Sequence, residues 1–357
     1  TYRFSRNFDT MNGVMRIPLD EPGDATLFVG VLGSKDTRAL GEGSEPGQFK
    51  NATSVDCDAQ GRVYISDYMN DRIQIFSSDA KFLKEIKTTK PALVRVNRLN
   101  GEIYVFSLPV PSHLIQIASK SGTKYQPTYA RFASFDDPKE LARMNLPIPE
   151  FVGYFNTYIG LPHPLFFTAE IDYFAPVPTI WLGRDCRNDV EMGITGGNGG
   201  QATPWESAGI RILREKDGKL EVIKDFGKET VKEVVRAKPP TNIVQHLYVN
   251  PVDGKLFLAE ADSAPTTKAS MQWLEIDPET AAIKAIDLPF NPIDCAFDLS
   301  GMAYLRNTDK IMRFDPKIWK EIPFDYGEEF EAVGRDGGIG GRSTPAISAI
   351  NMPSKSP

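Results

Sequence analysis

The strongest constraint on the fold is a run of four short segments, each with alternating apolar and polar residues. They follow a glycine-rich stretch, Gly-Glu-Gly-Ser-Glu-Pro-Gly-Gln-Phe (41–49), and read Ser-Val-Asp-Cys-Asp (54–58), Gly-Arg-Val-Tyr-Ile-Ser-Asp (61–67), Asn-Asp-Arg-Ile-Gln-Ile-Phe (70–76) and Phe-Leu-Lys-Glu-Ile (82–86). Glycine, asparagine and aspartate separate the segments, as is typical of tight turns. Alternation with a period of two predicts strands, so the stretch predicts one four-stranded antiparallel sheet.

The same stretch resembles the NHL repeat. The likeness covers the phenylalanine that ends the glycine-rich stretch, the Val-Asp and Tyr-Ile-Ser-Asp strands, and Asn-Asp-Arg-Ile-Gln-Ile-Phe. It implies that each four-stranded sheet is one blade of a β-propeller. Repeats of this kind occur in enzymes, binding proteins and scaffolds, so the resemblance leaves the function open.

Further strand pairs extend the pattern along the chain. Outer hairpins are predicted at 14–17 with 27–31, 72–76 with 82–86, 113–117 with 125–132, 210–213 with 220–223, 273–276 with 283–286, and 311–314 with 321–324. Inner pairs are predicted within 54–67, 93–107, 165–183, 246–260 and 293–306.

The first hairpin lacks an inner pair, and Pro-Ala-Ile-Ser-Ala-Ile (345–350) is an inner strand without a partner. Joining the two ends in one blade would remove exposed sheet edges. We therefore predict an all-β, single-domain (1–357), six-bladed propeller closed by its N- and C-terminal strands, or seven blades if 151–159 belongs to another.

Four insertions interrupt the repeats, at 133–164, 184–207, 260–271 and 325–344. The first contains Asp-Pro-Lys-Glu-Leu-Ala-Arg-Met (137–144), whose Asp cap and first-turn Pro predict a short helix. With the usual propeller strand order, all four insertions emerge on one face. Loops on a rigid scaffold tend to carry function, so we expect the functional surface on that face.

Charge and composition exclude some classes of protein. The net charge is −6 without a basic run, which argues against a nucleic-acid partner, and no apolar run approaches the roughly 20 residues that cross a membrane. The sequence starts at Thr1 without an initiator Met. The chain is therefore either trimmed or processed, and we expect a processed, exported protein in a periplasm-like compartment or an organelle lumen.

The three cysteines do not form a disulfide framework. Cys57 in Val-Asp-Cys-Asp and Cys295 in Ile-Asp-Cys-Ala look like equivalent repeat positions, which predicts two buried packing residues. Cys186 lies in a polar loop and is a candidate free thiol. Because there is no Cys-x-x-Cys-His, covalent c-type haem attachment to this chain is excluded.

Metal-site candidates are few. His163 and His246 lie at or just before inner strands and would face the central channel, whereas His113 is peripheral. This pattern is similar to that of propeller lyases that cleave glyoxylated peptides, which hold zinc with channel histidines. The alternative is that both histidines are structural. Glu260 and Asp262 at the channel mouth could hold a divalent cation such as calcium, or be solvated. Asp67 and Arg72 predict an ion pair within one blade.

The remaining candidates point to a partner protein. The insertions place aromatic residues and methionine beside proline and glycine, a composition enriched in interfaces. The predicted partner-binding residues are Met192, Gly197, Asn198, Trp205 and Thr267.

As a whole, the chain resembles the haem-free propeller subunit of the hydrazine synthase family. That resemblance implies no redox cofactor in this chain, c-type haem on partner subunits, and a loop lent to a haem centre that joins nitric oxide and ammonium. The alternative is a secreted metal-dependent propeller lyase or lactonase-like hydrolase.

Overall fold

The computed structural model describes residues 12–16, 26–31, 42–108, 124–147, 151–152, 166–175, 177–185, 210–225, 243–262, 272–280, 282–288, 294–306 and 311–322. Within them the chain is an all-β propeller with five four-stranded antiparallel blades. Blade I consists of β3 (Ala52–Cys57), β4 (Val63–Asp67), β5 (Arg72–Phe76) and β6 (Phe82–Lys87), and blade II of β7 (Leu93–Val96), β8 (Ile103–Ser107), β10 (Thr128–Phe132) and β11 (Glu140–Asn145). Blade III consists of β13 (Phe166–Asp172), β14 (Thr179–Asp185), β15 (Arg211–Lys216) and β16 (Lys219–Asp225), and blade IV of β17 (Ile243–Val249), β18 (Leu256–Asp262), β19 (Gln272–Ile276) and β20 (Ile283–Ile286). Blade V consists of β21 (Asp294–Phe297), β22 (Ala303–Arg306), β23 (Ile311–Asp315) and β24 (Lys320–Glu321).

Four further strands form two small sheets. The N-terminal hairpin consists of β1 (Asn12–Arg16) and β2 (Thr26–Val31), as predicted, and it packs against blade I. The other sheet pairs β9 (Lys124–Tyr125) with β12 (Phe151–Val152). The proposed closing strand 345–350 and residues 153–159 lie outside the described residues, so five blades are established.

The core consists of apolar layers between successive blades. Alternate residues of each strand enter these layers, because side chains on a pleated strand point to opposite sides. The largest completely buried side chains include Trp181 between blades III and IV and Trp273 between blades IV and V. Among the described residues, blades II to IV thus each bury their faces against the two neighbouring blades.

A polar turn repeats between the first two strands of the blades. In blade I, Asp58 accepts hydrogen bonds from the backbone N–H groups of Gln60 and Arg62 and from the Tyr64 hydroxyl. In blade V, Asp298 and Tyr304 form the same turn. These turns align the blades independently of their apolar residues.

The alignment corrects the prediction for the cysteines. Cys57 is opposite Val63, the residue before Tyr64, whereas Cys295 is opposite Leu305, the residue after Tyr304. The two positions therefore differ by two residues and are not equivalent. Their predicted burial is confirmed, because both cysteine side chains are buried.

The helix predicted at 137–144 is wrong. Residues 133–139 turn the chain back, with Ala133 donating to the Lys139 carbonyl, and β11 then pairs along β10. Glu, Leu, Ala, Arg and Met favour helices locally, but the unpaired edge of β10 is satisfied only by a fourth strand. Among the described residues, the only helix is one 3-10 turn, Tyr68–Asn70.

The same finding corrects the outer hairpin of blade II. The sequence pattern predicted that 125–132 pairs with 113–117, but β10 pairs with β8 on one side and with β11 on the other. His113 and the rest of 113–117 lie outside the described residues. The possibility of an extra blade at 151–159 is also not confirmed, since Phe151–Val152 forms only the two-stranded sheet with β9.

Candidate functional site

The two faces of the propeller differ in the links that they carry. In every described blade the strands run antiparallel in sequence order, so links from the first to the second strand and from the third to the fourth share one face. On this short-link face, all links of the five blades contain two to seven residues. Second-to-third links and blade-to-blade links share the opposite face, which we call the insertion face.

The insertion face carries the long links. Residues 108–127, 186–210 and 263–271 connect second to third strands in blades II, III and IV, while 146–165 and 226–242 connect successive blades. Topology therefore confirms that the predicted insertions at 184–207 and 260–271 leave and re-enter the blades on the same face. The prediction is wrong for the first part of the insertion at 133–164, because 133–139 joins the third strand to the fourth on the short-link face. The insertion at 325–344 lies outside the described residues.

The predicted partner-binding residues lie on these links. Met192, Gly197, Asn198 and Trp205 follow β14, and Thr267 follows β18; all five lie outside the described residues. Their attachment points are described, and the neighbouring strands β14 and β17 are in contact. Insertions on adjacent blades are thus confirmed, and the roles of the five residues stay predictions.

Three residues of the predicted metal site, His246, Glu260 and Asp262, lie on strands whose backbone pairing is described. His246 is opposite Ala259, whereas Glu260 is opposite Gln245 and Asp262 is opposite Ile243. Glu260 and Asp262 hence occupy register positions that alternate with that of His246, at the insertion-face end of β18. His163 and Cys186 lie outside the described residues. No group of three or more His, Cys, Asp or Glu residues that could hold a metal is found in the described part of the chain.

The predicted ion pair between Asp67 and Arg72 is confirmed, with Arg72 Nε 2.8 Å from Asp67 Oδ2. Both side chains are buried. The Asp67 carboxylate also accepts hydrogen bonds from the Lys50 backbone N–H, the Asn70 amide and the Gln74 amide. This network ties the glycine-rich segment before β3 to the insertion-face end of blade I.

A cavity of about 610 Å³ opens on the insertion face between blades I and II. We call it the seam cavity. It lies among the β4–β5 link, the β6–β7 link and the insertion-face ends of β8, β10 and β11. All ten lining residues are polar or charged: Asn70, Asp71, Lys87, Thr88, Thr89, Lys90, Ser107, Gln126, Thr128 and Arg143.

Two lining residues have unusual backbones. Asp71 and Lys90 adopt left-handed conformations, with φ of 53° and 43°. The Lys90 backbone N–H and its ammonium both donate to Asp71 Oδ1, at 2.9 and 2.7 Å. Left-handed backbones are unfavourable for residues other than glycine, and they concentrate at functional sites. The hydrogen bonds from Lys90 hold this conformation.

A second set of charges lies on the innermost strands. Arg95 on β7 makes a bidentate pair with Glu170 on β13, joining blades II and III, with Nη2 2.8 Å from Oε2. Asp56 on β3 accepts the Val96 N–H of the next blade. Burial raises the pKa of Asp56, and the nearby Arg95 and Arg98 oppose that shift. These paired groups join neighbouring blades rather than presenting a reactive side chain.

Sequence reasoning missed the seam cavity and the inner charges. Lys-Thr-Thr-Lys (87–90), a polar link between two blades, was the available signal for the cavity. Arg143 could not be identified as a lining residue, because the sequence analysis placed it in a helix and not on the edge strand of blade II.

Comparison with known proteins finds only distant structural similarities. No family profile matches the chain, and no curated protein matches it in sequence. Among solved structures, it is similar to hydrazine synthase from Kuenenia stuttgartiensis, with 12% identity and a TM-score of 0.43 over 74% of this chain and 64% of the other. It is also similar to virginiamycin B lyase from Staphylococcus aureus, with 13% identity and a TM-score of 0.41 over 76% and 69% of the two chains. The structure of a nidogen/laminin complex gives 11% identity and a TM-score of 0.44 over 88% and 90%.

The β-propeller fold is shown by the strand order of this chain itself, and these similarities assign no activity to it. The chain spans less than two thirds of the length of the hydrazine synthase chain that it matches. No helix among the described residues has the length and hydrophobicity needed to span a membrane.

Proposed function

We propose that this propeller binds a partner protein through its insertion face and acts as a subunit of a larger complex. The observation that carries the proposal is the contrast between the faces: the short-link face has links of two to seven residues, whereas 186–210 alone separates β14 from β15 on the other. Long links on a rigid scaffold are where binding surfaces concentrate. Trp205, Met192, Gly197, Asn198 and Thr267 are the proposed contact residues.

The more specific form of the proposal is a hydrazine synthase-like oxidoreductase complex, in which this exported chain has no redox cofactor of its own. Haem-bearing partner subunits would supply the redox chemistry, and a loop of the insertion face would lie near a partner's haem. This form rests on the overall sequence resemblance and on the missing haem-attachment motif.

The scaffold itself is proposed to have six blades. The β1–β2 hairpin packs against blade I in the manner of an outer strand pair, with Val14, Phe28 and Val29 against Phe49 and Phe76. Residues 345–350 would then supply an inner strand of the sixth blade and close the ring.

Isolation of the native protein under mild conditions tests this function. We expect co-purification with one or more proteins in fixed stoichiometry, and c-type haem absorption from those partners if the specific form holds. A monodisperse single chain in native extracts, at every salt concentration tested, would contradict the proposal.

A second candidate is a metal-dependent lyase or hydrolase. It is favoured by one observation, that Glu260 and Asp262 share one side of the sheet at the insertion-face end of β18; the register puts His246 on the other side, so this candidate rests on the two carboxylates. A resident metal would activate water in such an enzyme.

A further inference from the structure

We propose that the seam cavity between blades I and II binds a carboxylate group of a ligand. The proposal goes beyond the binding of a partner through the long links, because every residue that carries it lies in the described blades I and II. Its failure would leave the docking proposal intact.

The first argument is the charge of the lining. Three cations, Lys87, Lys90 and Arg143, face the cavity together with one carboxylate, Asp71. The chain as a whole has a net charge of −6, so an excess of positive charge in one cavity runs against its overall balance. Lysine and arginine side chains only donate hydrogen bonds, so their natural ligand is an anionic acceptor.

The second argument is where the partners of these cations lie. Lys87 pairs with Glu85 at 2.7 Å and Arg143 pairs with Glu140 at 2.6 Å, but neither glutamate lines the cavity. Only Lys90 has its carboxylate, Asp71, within the lining. The carboxylates that pair with Lys87 and Arg143 therefore lie outside the lining, whereas the two cations themselves line the cavity.

The third argument concerns the free energy of exchanging partners. The Lys87 side chain is 69% exposed, and both side chains of the Arg143–Glu140 pair are also partly exposed to solvent. An exposed pair such as Lys87–Glu85 contributes little to stability, roughly 0–1 kcal/mol, so an incoming carboxylate can replace or share it at little cost. Lys90 is different, because it is almost fully buried and both its N–H and ammonium are fixed on Asp71. It forms a rigid side of the cavity.

Polar side chains surround the three cations and determine which hydrogen-bonding groups the cavity offers a ligand. Arg143 Nη2 lies 3.2 Å from Thr88 Oγ1, across the seam between the blades, so the guanidinium is already oriented. With Thr89, Ser107, Gln126 and Thr128, the cavity offers hydroxyl and amide groups and no apolar residue.

Size limits the ligand without fixing its source. A volume of about 610 Å³ falls in the range of roughly 300–1,000 Å³ typical of small-molecule sites, and it would equally take acidic side chains. The shared chemistry is the carboxylate. A small organic acid and an acidic peptide segment are its two possible sources.

The test titrates the full-length chain with succinate and with a tetraglutamate peptide, each against its neutral counterpart, succinamide or tetraglutamine. Binding is followed by calorimetry and by NMR at low ionic strength. We expect one or both carboxylate probes to bind with a Kd of about 1 mM or lower, and the neutral counterparts at least tenfold more weakly. Binding of succinate identifies a small acid as sufficient, whereas binding of tetraglutamate alone identifies an acidic segment.

Two variants locate the site. Arg143→Gln and Lys87→Gln are each expected to weaken binding at least threefold, whereas Lys216→Gln, on the short-link face, should bind as the native chain does. Lys87 is exposed, so its variant tests the site even if Arg143→Gln perturbs the fold. Absence of binding by both carboxylate probes, equal binding of the neutral counterparts, or undiminished binding by the Lys87 variant would each overturn the proposal.

Discussion

Arg72 and Asp67 form a buried ion pair within blade I, with Nε of Arg72 2.8 Å from Oδ2 of Asp67. Arg72 also donates to Glu85 and to the backbone carbonyls of Glu45 and Gln48. One pair thus connects the second, third and fourth strands of the blade to the glycine-rich segment on the insertion face.

Replacing Asp67 by alanine should destabilise the protein strongly. It leaves the Arg72 guanidinium buried without its carboxylate, and removing one partner of a buried pair typically costs about 3–5 kcal/mol. Urea unfolding of Asp67→Ala measures this loss, with Asp79→Ala, in an exposed pair with Lys81, as the control that should keep the native midpoint. A change in the Asp67 variant below about 1 kcal/mol would show that the network does not hold the blade.

Alkaline pH should destabilise the fold through buried tyrosines. Burial raises the pKa of Tyr64 and of Tyr129, and hydrogen bonds to Asp58 and Glu215 add to the shift. Above about pH 10, the unfolded chain loses these phenolic protons while the folded chain keeps them, so stability is complete below that pH and falls as the pH rises.

The free energy of unfolding between pH 8 and pH 11, with phenolate absorbance followed in parallel, checks this expectation. Tyr129→Phe should reduce the slope above pH 10 by up to about 1.4 kcal/mol per pH unit. Full phenolate absorbance of the native protein before any unfolding would contradict it.

The closing-strand proposal predicts different effects for two C-terminal deletions. Removal of 343–357 should destabilise the protein by about 3 kcal/mol or more, because the strand would bury Ile347 and Ile350, and it should also promote aggregation through the open edge. Removal of 351–357 alone should have little effect. Identical urea midpoints for the two truncated chains would show that 345–350 does not close the ring.

The metal-enzyme candidate makes an opposite prediction to the docking proposal at the histidines. We expect the purified chain to contain less than one divalent ion per molecule by elemental analysis, and His163→Ala and His246→Ala to leave turnover of the native complex unchanged. One tightly bound ion per chain that is lost in either variant, with more than hundredfold loss of activity, would favour the enzyme.

The strands were predictable because their signal is local. The period-two runs and turn residues located β3 to β6 and the inner pairs of blades II to V, and the repeat resemblance turned four strands into a blade. The same local reasoning failed at 137–144, where strong helix formers occupy β11 because the edge of β10 requires a partner. It also aligned Cys57 with Cys295, because a short motif around each cysteine does not show how the turns between the first two strands align the blades.

Sites formed between blades could not be predicted from the sequence. Lys90 and Asp71 are 19 residues apart, and Arg95 and Glu170 are 75 apart, so no spacing rule connects them. In contrast, the face that carries 186–210 and 263–271 could be predicted, because strand order alone decides on which face a link emerges; the same rule failed for 133–139 because β11 was taken for a helix. The roles proposed for residues in 186–209 and 263–271 stay predictions, because these residues lie outside the described part of the chain.

Docking through the insertion face is tested by measuring how tightly a variant in which a short Gly-Ser link replaces 194–203 binds the co-purified partner. We expect a folded propeller with native urea stability whose affinity for that partner falls at least tenfold, about 1.4 kcal/mol. Leu99→Ser combined with Ile318→Ser, at exposed positions of the short-link face, should bind normally. Unchanged affinity of the 194–203 variant, or equal loss in the short-link control, would contradict docking through the insertion face.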